Sequence, residues 1–392
     1  MFSPEVLALE PQFVAWRREL HAAPELSFQE TQTTDFLLRH LSEIPGLELE
    51  RPTKTGVVAV LRGAHPGPTI ALRADIDALP IQEETGLSFA SRTPGVMHAC
   101  GHDGHTAMQL AAAQLLAQKR EQLHGEVRFI FQHAEELPLG GAVEMVRAGV
   151  MNGVREIYGM HLSSNFPTGT FGVRAGALTS ATDRFDIKVI GKGGHSAFPE
   201  TCVDPIVTAA QIITALPTVV SRRIRAVEPA VVSVCMVQGG QAYNIIPGEV
   251  SITGSTRTFD RETRRNLPKV LEQIVKGICD AAGASYSFQF SLGYASVIND
   301  PELTQFSRQL IQTAFSKDAV LEIEPVMPGE DFSAFQEEAD CPGFFVELGA
   351  RNEATGCTMP HHNSRYLMDE GALKYGVEYL YQLVLRRLGG DA

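Results

Sequence analysis

Between residues 56 and 133, three runs rich in Val, Ile and Phe, at 56–62, 69–74 and 126–133, alternate with turns and with the Ala- and Leu-rich stretch 105–118. Short β-branched runs with a helical stretch between the last two make a βαβ unit, which buries its apolar faces as a mainly parallel sheet covered by helices. Apolar residues at helical spacing over 5–19 and 31–41 predict two covering helices. A strand-like run at 156–160, a strand at 343–348 and helices at 302–315 and 369–387 extend the same alternation.

The rhythm changes after Ala181, where residues 184–190 set Phe185, Ile187 and Val189 against Asp186 and Lys188 in the period of a half-exposed strand. A Gly-rich turn follows, then an apolar helix from about Asp204, strands at 230–238 and 249–258, a helix at 261–281 and a strand at 285–293. The order β-α-β-β-α-β is that of a ferredoxin-like sandwich. A chain of 392 residues exceeds what one core usually serves. The sequence therefore predicts an α/β domain with a mainly parallel sheet, formed by 1–180 and 296–392, interrupted by a smaller α+β domain at 181–295.

A formal net charge of −13 opposes attraction to nucleic acid or to an anionic membrane surface. Glu5 and Glu10 interrupt the N-terminus before a signal-peptide core could form. The most apolar stretch, 205–220, is broken by Gln211 and Pro217, is short for a bilayer span, and reads as a buried helix. Six scattered cysteines without a CxxC pair argue against a disulfide scaffold or zinc knuckle and fit a reducing, cytoplasmic setting.

The densest chemical signal is HACGHDGHT at 98–106, three histidines with a cysteine and an aspartate, the side chains that ligate divalent transition metals. Cys100 and His102 are the favoured pair, although a single Cys is often a small buried hydrophobe and a single His a hydrogen-bonded one. In FIFQHAEE, 129–136, a strand ends in Glu135 and Glu136, placed where open α/β sheets bind ligands. One carboxylate can ligate while its neighbour moves protons; the plain alternative is negative charge at a helix N-terminus. His161 ends the strand-like run EIYGMHL and His362 lies in MPHHNSRY. A third group, His195 in GKGGHSAFPE, Asn244 in AYNIIPGE and Arg257 in GSTRTFD, offers donors for a carboxylate or an oxyanion. Their plain readings are a turn histidine, a bend-capping Asn and an exposed strand arginine.

RRELHAAPELSFQE (17–30), LRADIDALPI (72–81), MHACGHDGHTA (97–107), FQHAEE (131–136), GMH (159–161), GKGGHSA (191–197), YNIIP (243–247), PGEDFSAF (328–335) and HHNSRY (361–366) together carry a resemblance. They resemble the hippurate hydrolase and N-acyl-L-amino-acid amidohydrolase branch of the aminoacylase and carboxypeptidase metallopeptidase family. The resemblance implies a zinc-exopeptidase-like catalytic domain with an inserted lid and dimerisation domain, a homodimer or homotetramer, and a small-molecule N-acyl amino acid as substrate. It implies two divalent metal ions, whether Mn, Zn, Co or Ni. Cys100 would bridge them, His102 and His161 would complete one, Glu136 and His362 the other, and Glu135 would be the general base. His195 and Asn244 would face the reacting carbonyl or the substrate carboxylate, sometimes from a partner subunit, with Arg257 a further substrate contact. Relatives outside this branch place a metal-binding histidine on an early strand where this chain has Arg73, and Asp75 is expected to orient a ligand instead.

Other functions compete with amide hydrolysis of N-acyl amino acids. A dipeptidase or carboxypeptidase would use the same residues. A cysteine hydrolase would use Cys100 as nucleophile, activated by His98, His102 or His105, and would leave Glu135, Glu136, His161 and His362 without roles. A non-catalytic binding protein of the same fold would lack part of the set, and every expected position is filled.

Overall fold

The computed structural model describes residues 2–390. The chain divides into two units, one running to Leu178 and taking up Val297–Glu324 and the residues from Asp331, the other formed by Thr179–Ser296 and Pro325–Glu330.

The first unit is built on a mixed sheet whose central strands run in the order His124–Gln132, His65–Asp75, Val154–Pro167 and Gly343–Arg351, all parallel. Leu47–Glu50 and Val57–Arg62 extend it antiparallel on one side. Phe129, Ile130, Phe131, Ile70, Ala71, Leu72, Phe344, Phe345 and Val346 are all buried, so successive side chains on both faces leave water. That double burial is why these strands read as nearly unbroken apolar runs, as parallel strands between helices do. The register sets Asp75 opposite Gln132 and Arg73 opposite Gly159, which places the carboxyl ends of three strands side by side.

Helix α1 (Pro4–Ala22) starts with proline in its first turn, where no backbone donor is lost, and buries Val6, Phe13, Trp16 and Leu20. Helix α2 is Thr31–Ser42, and α3 is His102–Ala117. The sequence placed the start of α3 three residues later, because the His- and Gly-rich approach lacks apolar periodicity. Its Ala and Leu side chains are buried on nearly every side, since α3 lies between the sheet, α1 and the C-terminal helix Leu373–Leu388. The last helix was expected from Asp369; instead Asp369 caps a 3-10 turn, Glu370–Ala372, ahead of it.

The second unit is an antiparallel four-stranded sheet in the order Ala230–Gly239, Glu249–Thr258, Ala181–Ile190 and Ser285–Leu292. The helices Pro205–Ala215 and Arg261–Ala282 enclose Phe185, Ile187, Val189, Ile212, Leu267 and Leu271 against one face. Asp204 and Asp260 cap the two helices by accepting backbone N–H bonds in their first turns. One expectation needs correction: the apolar stretch from Pro205 is not wholly buried, for Ile206 is 47% and Val207 55% exposed. A helix on a sheet covers only one stripe, here Thr208, Ala209 and Ile212. Residues 325–330, read from sequence as part of the closing segment, lie with this unit because Thr179 bridges to Val326 and Ser180 bonds to Val326 and Met327. Among the described residues no helix is long and apolar enough to cross a membrane.

Candidate metal centre

The strand His124–Gln132 ends at Gln132, and the next four residues include Glu135 and Glu136, both poorly exposed. His161 lies within the neighbouring strand Val154–Pro167, two residues past the Gly159 that pairs with Arg73. Gly101 has φ +97°, a left-handed conformation that a side chain resists, and it turns the chain between Cys100 and the first residue of α3, His102. His362, itself at φ +61°, donates its backbone N–H to Ala99 at 2.8 Å, which ties its loop to the one carrying Cys100.

These segments bring the ligand atoms of Cys100, His102 and His161 within 4.8 Å of one another, and likewise those of Cys100, Glu136 and His362. Cys100 belongs to both groups, the position a bridging ligand needs. Glu135 joins His102 and Glu136 in a third such group. The Cys100 sulfur is 3.4 Å from His161 Nε2. Two donors bound tetrahedrally to one zinc-like ion would lie about 3.6 Å apart.

The histidine tautomers are set by partners that only accept. His102 Nδ1 lies 2.9 Å from the Asp77 carbonyl and His161 Nδ1 2.7 Å from that of Leu162. Each Nδ1 therefore carries a proton, which leaves each Nε2 as the nitrogen that a metal would take. His102 Nε2 is buried and makes no hydrogen bond, an orphaned donor atom in a nest of carboxylates. The donor set, imidazole, thiol and carboxylate with an unsatisfied Nε2, fits a divalent metal pair.

Electrostatics points the same way. Burial alone would lower the affinity of His102 for a proton, yet the charges of Asp75, Asp77 and Glu136 outweigh it and push its pKa up to about 10. Burial, with Glu136, Glu135 and Asp75 nearby, raises the Cys100 thiol well above its ordinary range. The carboxylates thus hold the His102 proton against burial, the sign of a centre rich in negative charge. His161 is shifted the other way, well below its usual value, by burial and by the neighbouring His105 and His361.

Asp75 does not take the part expected of it. It accepts from His105 Nδ1 at 2.6 Å and from Arg73 at 2.6 Å, and it is 3.8 Å from His102 Nε2. Asp77 is the residue that orients His102, through its carbonyl at 2.9 Å and its carboxylate at 3.3 Å, and it also accepts the Glu136 N–H at 3.0 Å. Sequence reasoning passed over Asp77 although it stood in LRADIDALPI, because two aspartates on one short segment cannot be told apart without the strand end. His105 is no ligand: its Nε2 accepts the Leu162 N–H at 2.8 Å while Nδ1 serves Asp75. The cysteine-nucleophile reading loses support, since a reactive thiol needs a depressed pKa and this one is raised.

In the second unit, His195 and Asn244 come together in a two-strand ladder, where Ile245 pairs with His195 and Ser196 N donates to the Asn244 carbonyl at 3.1 Å. Both side chains are exposed. Arg257 stands apart, in the strand Glu249–Thr258 between Val231 and Thr182.

The model of peptidase family M20/M25/M40 matches residues 71–386. The chain is 54% identical over 289 residues to an N-acyl-L-amino acid amidohydrolase of Geobacillus stearothermophilus, covering 74% of this chain and 78% of that one. It is 43% identical to an N-acetylcysteine deacetylase of Bacillus subtilis (strain 168), covering 96% and 97% of the two chains. The crystal structure of the Bacillus subtilis YXEP protein, described as a dinuclear metal binding peptidase of the M20 family, superposes with a TM-score of 0.85 at 39% identity, covering 97% and 98%.

Proposed function

Because the chain belongs to peptidase family M20/M25/M40 and is a hydrolytic enzyme acting on amides, we propose that it cleaves N-acyl-L-amino acids to a free amino acid and a carboxylic acid. The observation that carries this reading is the sharing of Cys100 by two ligand groups that hold His102 with His161 and Glu136 with His362. These five residues would hold two divalent ions. What such ions supply is Lewis acidity, which makes water a nucleophile at neutral pH and draws charge onto a carbonyl oxygen.

The rest falls to the chain. Glu135, buried beside the ligands, takes the proton from water as its oxygen attacks the amide carbon, and delivers that proton to the amine nitrogen as the C–N bond breaks. His195 and Asn244, neighbours in their two-strand ladder, face the reacting carbonyl or the substrate carboxylate, Arg257 is a further substrate contact, and the second unit joins copies of the chain into a homo-oligomer. The name of one relative, an N-acetylcysteine deacetylase, supports an acetyl group.

The direct test strips the protein with a chelator, reconstitutes it with Mn, Zn, Co or Ni, and assays N-acetyl and N-benzoyl amino acids. Hydrolysis that returns at two metal equivalents per chain supports the proposal, and full activity in the metal-free protein refutes it.

A further inference from the structure

The segment 17–30, RRELHAAPELSFQE, supplies no ligand and no base. Its last residue, Glu30, is nevertheless wholly buried. The Glu30 Oε1 accepts two backbone N–H bonds, from Phe28 at 2.9 Å and from Ala134 at 2.8 Å. Ala134 immediately precedes Glu135 and sits at φ +50°, in the left-handed region that residues with a Cβ avoid. On the other side of Glu135, the N–H of Glu136 donates to Asp77 Oδ2, which also accepts from Ser27 Oγ at 2.7 Å. Two buried carboxylates thus grip the peptide on either side of Glu135, and both are tied to residues 27–30.

We propose that Glu30 is a positioning residue for the hydrolytic reaction: its hydrogen bond holds Ala134 in the left-handed conformation and thereby aims the Glu135 carboxylate. A strained conformation persists only where its surroundings over-determine it, and such positions cluster at active sites. A general base works within hydrogen-bond reach of its proton, and a misplacement of about 1 Å can cost on the order of a hundredfold in rate. The proposal rests on Glu135 being the base. It adds that the N-terminal motif sets the aim of that base, although it lies a hundred residues away along the chain.

The test compares Glu30→Ala, Glu30→Gln and the double variant Glu30→Ala with Ala134→Gly, each reconstituted with metal. The readouts are kcat, KM, bound metal, melting temperature and amide hydrogen exchange of the peptide spanning 131–140. Removing the acceptor should lower kcat by about tenfold or more, leave KM and bound metal within about twofold, and speed exchange at Ala134. Glutamine keeps an acceptor oxygen and should stay near wild type. Glycine at 134 adopts positive φ without a Cβ penalty and should recover much of the lost kcat.

A Glu30→Ala protein with wild-type kcat would overturn the proposal. So would a rate loss matched by metal loss, or one that glycine at 134 fails to relieve, because these mark a merely structural carboxylate. Should Glu30→Ala not fold, Glu30→Asp withdraws the acceptor by one methylene and keeps the charge; a fall in kcat at unchanged melting temperature supports the proposal and an unchanged kcat refutes it. Turnover surviving in Glu135→Gln would instead remove the base assignment itself, an outcome the Glu30 variants do not produce.

Discussion

At the scale of single residues, Glu135 and Glu136 are neighbours in sequence with different work. The Glu136 Oε1 lies 3.2 Å from His362 Nε2 within the ligand group they share with Cys100, whereas Glu135 is assigned to proton transfer. Glu135→Gln should therefore lower kcat by about 10²–10⁴-fold with bound metal unchanged; metal analysis showing a depleted protein would contradict the assignment. Cys100 is common to both groups, so Cys100→Ala should reduce occupancy at both positions, and two metals per chain in that variant would rule out bridging. Proton counting offers a third check. In the metal-free protein Cys100 is a thiol and His102 a cation, their pKa values raised by burial and carboxylates in the first case and by carboxylates against burial in the second. Ligands bind metal deprotonated. Loading the metal-free protein at neutral pH should release about two protons per chain, measured with an indicator dye in weak buffer.

At the scale of elements, the start of α3 does more than its propensity suggests. Gly101 at φ +97° closes the turn, and a Cβ there would stand 3.2 Å from the Tyr366 hydroxyl. Gly101→Ala should destabilise the protein by about 1–2 kcal/mol from the left-handed backbone alone, and should weaken metal retention because the residues on either side are the proposed ligands Cys100 and His102. Denaturant melts and metal analysis after dialysis measure the two effects. A variant as stable and as metal-retentive as wild type would show that the turn tolerates a side chain.

At the scale of the whole molecule, α1 is joined to α3 and to the segment holding Glu83 by a buried charge network. Arg17 Nε lies 2.8 Å from Asp103 Oδ2, and His21 Nδ1 is 2.7 Å from the same oxygen. The His21 Nε2 reaches Glu83 at 3.3 Å. Burial opposes the charge on Asp103, but Arg17 and His21 hold its carboxyl far below the usual range. Burial likewise opposes Glu83, while bonds from His21, Thr85 and the Ser91 N–H bring it down to about 2. Carboxyls depressed on folding stabilise the native state fully above their unfolded pKa, near 4, and lose that contribution as pH falls through their folded values. The melting temperature of wild type should thus fall between about pH 4 and pH 2, and that of Glu83→Gln should fall less. A parallel decline in both would exclude Glu83 as a source of the acid sensitivity. Asp103→Asn leaves Arg17 buried without its closest anion and should cost about 3 kcal/mol or more at neutral pH, read from urea unfolding of the metal-free protein.

Patterning alone determined the parallel core, the β-α-β-β-α-β order of the inserted segment and the clustering of metal-type side chains, because periodicity and residue chemistry are local properties. The strand boundaries at Ala230, Glu249 and Ser285 were legible for that reason. The tertiary structure alone decided that Cys100 stands at ligand distance from His161 in one group and from Glu136 and His362 in another, residues of four separate segments. It also separated Asp77 from Asp75, gave His105 to Asp75 and the Leu162 N–H, and exposed Ile206 and Val207 on a helix that reads as apolar throughout. Which of two identical side chains faces a centre depends on where a strand ends and what borders it, and that is fixed by contacts between residues far apart in the chain.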